Sequence, residues 1–146
     1  MNIGLYTITS PLHNQEAVEA ASAGFIKEIE NELDCRFDIK GADFGTYGQH
    51  DLDVIYVRTG GTEGIFKEVF PSLKGNIVLL TSGKSNSLAA SMEILSYLNR
   101  QGRRGEIIHG SITYIADRLR TLTRVVSASK KLCGSNLGVI GKPSDW

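Results

Sequence analysis

The sequence predicts an open three-layer α/β/α sandwich whose mainly parallel sheet has about five strands. Short apolar runs alternate with helical patterns along the chain, which is typical of βαβ units. The runs at residues 54–57 and 77–80 contain no alternating polar residues, as expected of strands that are buried on both faces. A chain of 146 residues, of which 41% are hydrophobic, is long enough for one domain with its own core. We therefore expect a flavodoxin-like or Rossmann-like fold with right-handed crossovers.

The first half of the chain predicts two strands, one long helix and a loop. Residues 3–9 form a run rich in β-branched side chains, which indicates the first strand. Residues 15–33 follow with apolar side chains at helical spacing. The side chains expected to face the core are Val18, Ala21, Phe25, Ile29 and Leu33. The alternating segment 35–40 predicts a second strand, and the polar, glycine-rich segment 41–50 predicts a loop.

The middle of the chain continues the alternation of strands and helices. The apolar run 54–57 predicts the third strand, and residues 63–70 predict a short helix that Pro71 ends. The next strand is expected at residues 77–80, followed by a helix over residues 86–99. We expect one side of that helix to pack on the sheet. Its members are Leu88, Met92, Leu95 and Asn99.

The last third of the chain predicts a short strand, the longest helix and a final strand. The strand is expected at residues 107–109 and the helix at residues 111–132. The apolar residues of the helix step by three and four positions. They are Ile112, Ile115, Leu119, Leu122 and Val126. A last strand is expected at residues 137–140, so that residues 1–141 form the domain and residues 142–146 begin a linker to a further domain.

Composition excludes several classes of protein and site. The sequence contains no run of about 18 apolar residues, as a membrane span requires, and its N-terminus lacks the basic region of a signal peptide. Cys35 and Cys133 form no C-x-x-C motif, so we expect free thiols in a reducing compartment and a cytoplasmic location. His13, His50 and His109 have no metal-ligand spacing to one another or to a cysteine or carboxylate.

Charge is distributed unevenly although the formal net charge is zero. Residues 1–72 carry 12 acidic and 5 basic side chains, whereas residues 73–146 carry 4 acidic and 11 basic ones. This asymmetry indicates either a binding face or simply two solvated surfaces of opposite sign. The arginines of the second half are not interleaved with aromatic residues, so we expect no nucleic-acid partner. They are Arg100, Arg103, Arg104, Arg118, Arg120 and Arg124.

Polar residues follow the predicted strands where ligands bind in folds of this class, beyond the carboxyl ends of the strands. Hydroxyls, glycine amides, an arginine, a lysine and a histidine at this edge suit a polyhydroxylated or anionic small molecule. Two predicted helices also begin there and direct free N–H groups towards the same edge. The candidate binding residues are Ser10, Arg58, Thr59, Gly60, Gly61, Thr62, Glu63, Ser82, Lys84, Ser85, Asn86, Ser87 and His109.

The triplet Gly83-Lys84-Ser85 has the ending of a nucleotide-binding P-loop but not its beginning. The P-loop motif requires a glycine five residues before Gly83, and that position is Val78, inside a predicted strand. A turn followed by a helix cap is the alternative, with Asn86 or Ser85 capping the helix that follows. This alternative is compatible with ligand binding.

No catalytic residue can be assigned from the sequence. Gly60-Gly61-x-x-Gly64 is not a dinucleotide-binding fingerprint and also suits a tight turn between a strand and a helix. Glu63 is either a general base or, more simply, an acid in the first turn of a helix. Lys84 suits an anion contact or a surface cation better than a Schiff-base lysine. The sequence contains no G-x-S-x-G motif.

Four motifs, RTGGTEG, NSLAASMEILSYLNRQG, IIHG and GVIGKPSDW, give the sequence a family resemblance. Residues 54–146 resemble the N-terminal region of proteins related to L-fucose and L-arabinose isomerases. The most specific pieces are TGGTEG, with NSLAASMEIL some twenty residues later, and the terminal GVIGKPSDW.

The resemblance implies an aldose–ketose isomerase that uses a divalent metal, usually Mn²⁺. It implies that the metal ligands lie in later domains and that neighbouring subunits share the substrate pocket. No position of this chain matches those ligands, so the chain by itself is expected to contain no cofactor and to have no isomerase activity. The expected partners are a sugar, the later domains and neighbouring subunits. The alternative is a stand-alone binding module for a sugar phosphate or another anion. A third possibility is a purely structural assembly domain.

Overall fold

Five parallel strands form one sheet in the order β2-β1-β3-β4-β5. The structure is a computed structural model that describes residues 1–136, 138, 140 and 141. Its strands are β1 (Ile3–Ile8), β2 (Phe37–Gly41), β3 (Leu52–Val57), β4 (Ile77–Leu80) and β5 (Gly105–Ile108). Its helices are α1 (Gln15–Leu33), α2 (Glu63–Val69), α3 (Ser87–Arg100) and α4 (Ile112–Cys133), and one 3₁₀ turn (Phe70–Ser72) follows α2. This strand order is that of flavodoxin-like folds, and it confirms the predicted fold class.

The helices cover the sheet on both faces. Side chains of α1 and α4, such as Ile29 and Leu119, share one core with Leu5 of β1. Side chains of α2 and α3 share the other core with Tyr6, the residue of β1 that follows Leu5 and faces the opposite side. Each residue of β1 is buried. Because successive strand residues alternate between the faces, an uninterrupted apolar strand supplies both cores at once.

The buried sides of α1 and α4 follow the predicted patterns except at Val18 and Ala21, and Val18 is half-buried without joining the core. Ile29 and Leu33 of α1 are buried, and Phe25 packs partly buried against the core. Ala21 is exposed instead, because the neighbouring Ser22 turns towards the sheet. All of the apolar α4 residues predicted to face the sheet are buried or packed against the core, which confirms the predicted buried side of this helix.

The predicted buried side of α3 is wrong. Met92 is 60% exposed, and Leu88 and Leu95 are only half-buried. The side that packs on the sheet is rotated by about one residue. It consists of Ser87, Ala90, Ser91, Ile94 and Leu98. Small side chains in the first turns let the helix approach the strands closely, so the larger apolar side chains point outwards.

Boundary predictions differ from the structure by one or two residues at several strands. β2 begins at Phe37 rather than at residue 35, and β5 ends at Ile108, which places His109 in the following loop. The final strand predicted at residues 137–140 depends on residues 137 and 139, which lie outside the described residues, as does the predicted linker 142–146. In the described part of the chain no helix is long and apolar enough to cross a membrane.

A polar cluster lies over β1 near the amino-terminal edge of the sheet. The loop between β2 and β3 brings His50 onto the α2/α3 face, where only 5% of its surface is exposed. His50 Nδ1 lies 2.6 Å from Asp53 Oδ1, and Nε2 lies 3.1 Å from Asp38 Oδ2. A Cβ atom on Gly4 would lie 2.4 Å from His50 Nδ1. Gly4, Asp38, His50 and Asp53 are called the His50 cluster below.

Aromatic residues of the same loop pack against Tyr6, next to the His50 cluster. The rings of Phe44 and Tyr47 lie 5.0 Å and 5.2 Å from that of Tyr6, centroid to centroid. Burial raises the pKa of Tyr6 to about 12, so its hydroxyl stays protonated near neutral pH beside Thr46 Oγ1, at 3.1 Å. Burial likewise raises the pKa of Tyr47. The loop therefore covers this part of the sheet as a helix would elsewhere.

Candidate functional site

The switch point of the sheet lies between β1 and β3, which are neighbours but lead to helices on opposite faces. In open α/β sheets, ligands bind in the crevice at such a point, beyond the carboxyl ends of the strands. Ser10 and Arg58 follow the two strands there. The structure thus brings the loops after β1 and β3 to the edge that the sequence selects.

Part of the predicted site holds the two loops together rather than facing solvent. The Ser10 amide donates a hydrogen bond to Thr59 Oγ1 at 2.9 Å, and the Thr62 hydroxyl donates to the Thr59 carbonyl at 3.2 Å. Ser10, Thr59 and Thr62 are buried, and Gly61 has a φ of +71° close against Ser10 Oγ. These residues stabilise the edge, and only Gly61 among them is exposed.

The loop after β4 is hydrogen-bonded to the loop after β3. The Gly60 amide donates to the Ser85 carbonyl at 2.7 Å, which joins the β3 and β4 loops. The Thr81 and Ser87 hydroxyls pair at 2.7 Å in a buried position. Ser87 is therefore occupied by the protein, whereas Lys84, Ser85 and Asn86 are exposed.

The expected side-chain cap of α3 is wrong. Ser85 and Asn86 both adopt left-handed backbone conformations, with φ values of 52° and 58°, and the Asn86 side chain makes no capping hydrogen bond. An N-cap side chain needs an extended backbone at that position to reach the second or third helical amide. Left-handed residues other than glycine cost about 1–2 kcal/mol each, and such strain occurs often at binding loops.

Arg58 turns away from the switch-point crevice towards α1. It continues the alternation of Val54 and Tyr56, so its side chain lies on the α1/α4 face and is only 13% exposed. Its Nη1 donates to Glu19 Oε2 at 2.5 Å, and its guanidinium lies 5.9 Å from the centroid of the Tyr56 ring. Arg58 Nε is buried and has no hydrogen-bond partner within the described residues.

A small depression of about 70 Å³ lies beside Arg58 at the carboxyl edge. Residues of the β3 and β4 loops form its polar side, and α1 and the end of β3 form its apolar side. The polar side consists of Arg58, Ser82, Lys84 and Ser85. The apolar side includes Val18, Phe25 and Tyr56. We call it the edge depression.

Glu63 and His109, the remaining predicted residues, lie apart from the edge depression. Glu63 lines a groove of about 240 Å³ between α2 and α3, on the opposite face of the sheet from Arg58. His109 is exposed, and its ring lies against Gly83, with Nδ1 3.1 Å from the Thr81 carbonyl. Because a carbonyl only accepts, Nδ1 donates this bond. The structure therefore divides the predicted site into three places.

Sequence reasoning missed the residues of α1 and β3 that complete the edge depression. Phe25 was assigned to the core only, Tyr56 to a buried strand, and Glu19 had no role. One signal was present: Tyr56 and Arg58 are two residues apart at the end of a strand, which places them on the same face. The contribution of α1 depends on packing between segments some forty residues apart.

The described residues do not fit the divalent metal that the family resemblance implies. Among them, no group of three or more histidine, cysteine, aspartate or glutamate side chains lies close enough together to hold a metal ion. The hydroxyls and cations of the edge depression are not ligands that Mn²⁺ prefers.

No protein-family model, no curated protein and no solved structure matches this chain.

Proposed function

We propose that this chain is the substrate-contacting domain of a sugar isomerase-related protein. The edge depression carries the proposal. It is a concave site at the ligand edge of the sheet, with hydroxyls and two cations opposite aromatic and aliphatic walls. Small-molecule sites combine mostly apolar walls with a few placed polar groups in this way. Arg58, the first residue of the RTGGTEG motif that contributes to the family resemblance, is part of its polar side.

The chemistry of the depression suits part of a sugar. Ser82 and Ser85 can donate to and accept from sugar hydroxyls, and Lys84 can donate to a hydroxyl or a phosphate oxygen. Phe25 and Tyr56 offer apolar surface to the C–H groups of the sugar. A volume of about 70 Å³ admits a hydroxymethyl or phosphate group rather than a whole sugar. The rest of the substrate would lie outside, where a second domain or subunit covers it.

This division assigns binding and orientation to the chain, and bond-making to another part of the protein. The polar groups of the depression can fix one end of the sugar. Positioning of this kind contributes to catalysis by holding the reacting carbons in a productive geometry. In the proposal, the metal and the groups that move protons belong to the later domains of the isomerase-related protein.

The second candidate function is a stand-alone module for a sugar phosphate or another anion. It is favoured by exposed Lys84 and by the buried Arg58 Nε, which has no hydrogen-bond partner among the residues that the structure describes. A buried donor without an acceptor is unfavourable by about 1–3 kcal/mol, and an anion at this place would remove that penalty. The two candidates differ in whether a neutral sugar binds.

Ligand binding is the first test. We expect pentoses, hexoses or their phosphates to raise the thermal midpoint of the chain, because a ligand at 100 times its dissociation constant stabilises the fold by ~2.7 kcal/mol. Lys84→Ala is expected to weaken binding of a phosphorylated ligand about tenfold, the effect of losing a charge-assisted hydrogen bond. Isothermal titration calorimetry measures the affinities.

The matched control is Lys27→Ala, which removes an exposed lysine from the outer side of α1 and should leave affinity unchanged. Binding of neutral sugars supports the sugar-contacting domain, and binding of phosphates alone supports the anion module. If no sugar or phosphate binds, or if both lysine variants weaken binding equally, the edge depression is not the site.

An activity assay tests the assignment of bond-making to another part of the protein. With Mn²⁺ added, this chain is expected to interconvert no aldose and ketose, because its described residues offer no metal site. Turnover is measured by the formation of ketose from a panel of pentoses and hexoses. Robust turnover that survives repurification of the chain would contradict the proposed division of roles.

A further inference from the structure

A cavity of about 350 Å³ lies at the amino-terminal edge of the sheet, opposite the ligand edge. The loop before β3, the residues that lead into β4 and the second half of α4 form its walls. Its volume falls in the range of about 300–1,000 Å³ that is typical of small-molecule sites. We call it the amino-edge cavity.

One wall of the amino-edge cavity is apolar and incomplete. Leu52 lines it from β3, and Leu122 and Val126 line it from α4. Val125 belongs to the same wall, although 58% of its surface is exposed. An apolar group placed in the cavity would remove part of this surface from water, which is favourable.

The polar side of the cavity offers hydrogen-bond donors that lack a matching acceptor. Lys74 is exposed, and Lys130 Nζ donates to the His50 carbonyl at 2.8 Å. Neither lysine forms a salt bridge within the described residues. The buried hydroxyl of Tyr47 has no hydrogen-bond partner in the part of the chain that the structure describes. Burial raises the pKa of Tyr47, so this hydroxyl remains a donor near neutral pH.

The carboxylates of the same cavity already have partners. Asp51 Oδ2 accepts from the Asn2 amide at 2.8 Å. Asp53 accepts from the Gly48 amide at 2.9 Å and contacts the His50 ring. The two lysines are therefore the charged groups of the described wall that lack an ionic partner, and ammonium groups bind carboxylates.

We propose that the amino-edge cavity binds a small carboxylic acid with an apolar body. Lys74, Lys130 and the Tyr47 hydroxyl bind the carboxylate, and the apolar body packs against Val125 and its neighbours. A neutral apolar molecule would leave both ammonium groups without a counter-charge. A small inorganic anion would leave the apolar wall in water. The two walls together select a molecule that has both parts.

This site does not rest on the proposed function. The edge depression lies beyond the carboxyl ends of the strands, whereas the amino-edge cavity lies at their amino ends. The two sites share no residue, so substitutions at one test it without altering the other.

The test is isothermal titration calorimetry of the full chain with phenylacetate and octanoate. We expect at least one of these acids to bind, and its uncharged amide, phenylacetamide or octanamide, to bind about tenfold more weakly. Acetate, which has the charge without the apolar body, should bind more weakly than either acid.

Two lysine variants locate the charge contact. Lys130→Gln should weaken binding of the acid about tenfold, because it removes a positively charged donor of the cavity. Lys131→Gln is the matched control. It removes the next lysine of α4, which is exposed and does not line the cavity, and should change affinity by no more than about twofold.

Two further variants test the apolar wall and the buried hydroxyl. Val125→Glu should abolish binding, whereas Met92→Glu, at a similarly exposed apolar residue of α3, should leave it unchanged. Tyr47→Phe removes only the hydroxyl. It should leave the thermal midpoint of the ligand-free chain no lower, since that hydroxyl has no partner among the described residues, while it weakens binding several-fold.

Circular dichroism shows that each variant is folded. The proposal is overturned if neither acid binds, or if the amides bind as tightly as the acids. It is also overturned if each cavity variant binds as its control does, or if Tyr47→Phe binds as tightly as the unmodified chain.

Discussion

Replacing Gly4 by alanine is expected to lower the free energy of unfolding by roughly 3 kcal/mol, the upper end of the range for overpacking a core. The added Cβ would lie 2.4 Å from His50 Nδ1 and 2.8 Å from Asp53 Oδ1. Both atoms belong to side chains that are held in place, since His50 Nδ1 and Asp53 Oδ1 lie 2.6 Å apart. The ring must therefore shift and lose that contact. Urea unfolding followed by circular dichroism measures the change.

The matched control for Gly4 is Gly24→Ala. Gly24 lies in α1, and a Cβ there would meet no atom within 4 Å. Alanine in a helix is more favourable than glycine by roughly 0.5–1 kcal/mol, so this variant should be more stable than the unmodified chain. A Gly4→Ala variant as stable as the unmodified chain would show that His50 does not pack on β1.

Gly4 illustrates what the sequence can and cannot predict. A glycine inside an apolar strand indicates that another part of the protein approaches closely. Its partner His50 lies 46 residues later, in a segment that could only be identified as a loop, and no local pattern joins the two. Long-range packing of this kind is set by the path of the loop over the sheet.

The buried side of a helix was predictable from the sequence where its large apolar side chains are the ones that face the sheet. In α4 the large apolar side chains face the sheet, and the spacing of three and four residues identified them. In α3, Ser87, Ala90 and Ser91 face the sheet, and Met92 is exposed. A pattern based on apolarity favours the larger side chains and therefore selected the wrong side. The distance between helix and sheet decides such cases, and the sequence does not contain it.

The candidate site was predictable to the level of loops and not of side-chain directions. The rule that ligands bind beyond the carboxyl ends of strands selected the β1, β3, β4 and β5 loops, and hydrogen bonds join the first three in the structure. The rule does not predict that Thr59 is buried or that the Arg58 side chain points towards Glu19. These directions follow from the strand alternation continuing past the end of β3.

Replacing His50 by leucine is expected to cost about 1–3 kcal/mol, the effect of leaving a buried hydrogen-bonding group without its partner. Asp53 is only 9% exposed and lies 2.6 Å from the ring. Without the imidazole, this carboxylate would keep the Gly48 amide as a donor but lose its contact with the ring. Asp38 is exposed, and hydrogen bonds from Lys40 and then from His50 lower its pKa, which is consistent with an attractive contact. Urea unfolding measures the loss.

A second substitution distinguishes loss of the contact between the ring and Asp53 from loss of packing. Asp53→Asn in the His50→Leu background removes the buried charge while keeping the shape of the side chain, so the double variant should be more stable than His50→Leu alone. A cavity or a misplaced loop would instead leave the double variant equally unstable or less stable. His13→Leu, a change at the opposite edge of the sheet, should alter stability by no more than about 0.5 kcal/mol. The His50 cluster would then be established as the contact that fixes the β2–β3 loop over β1.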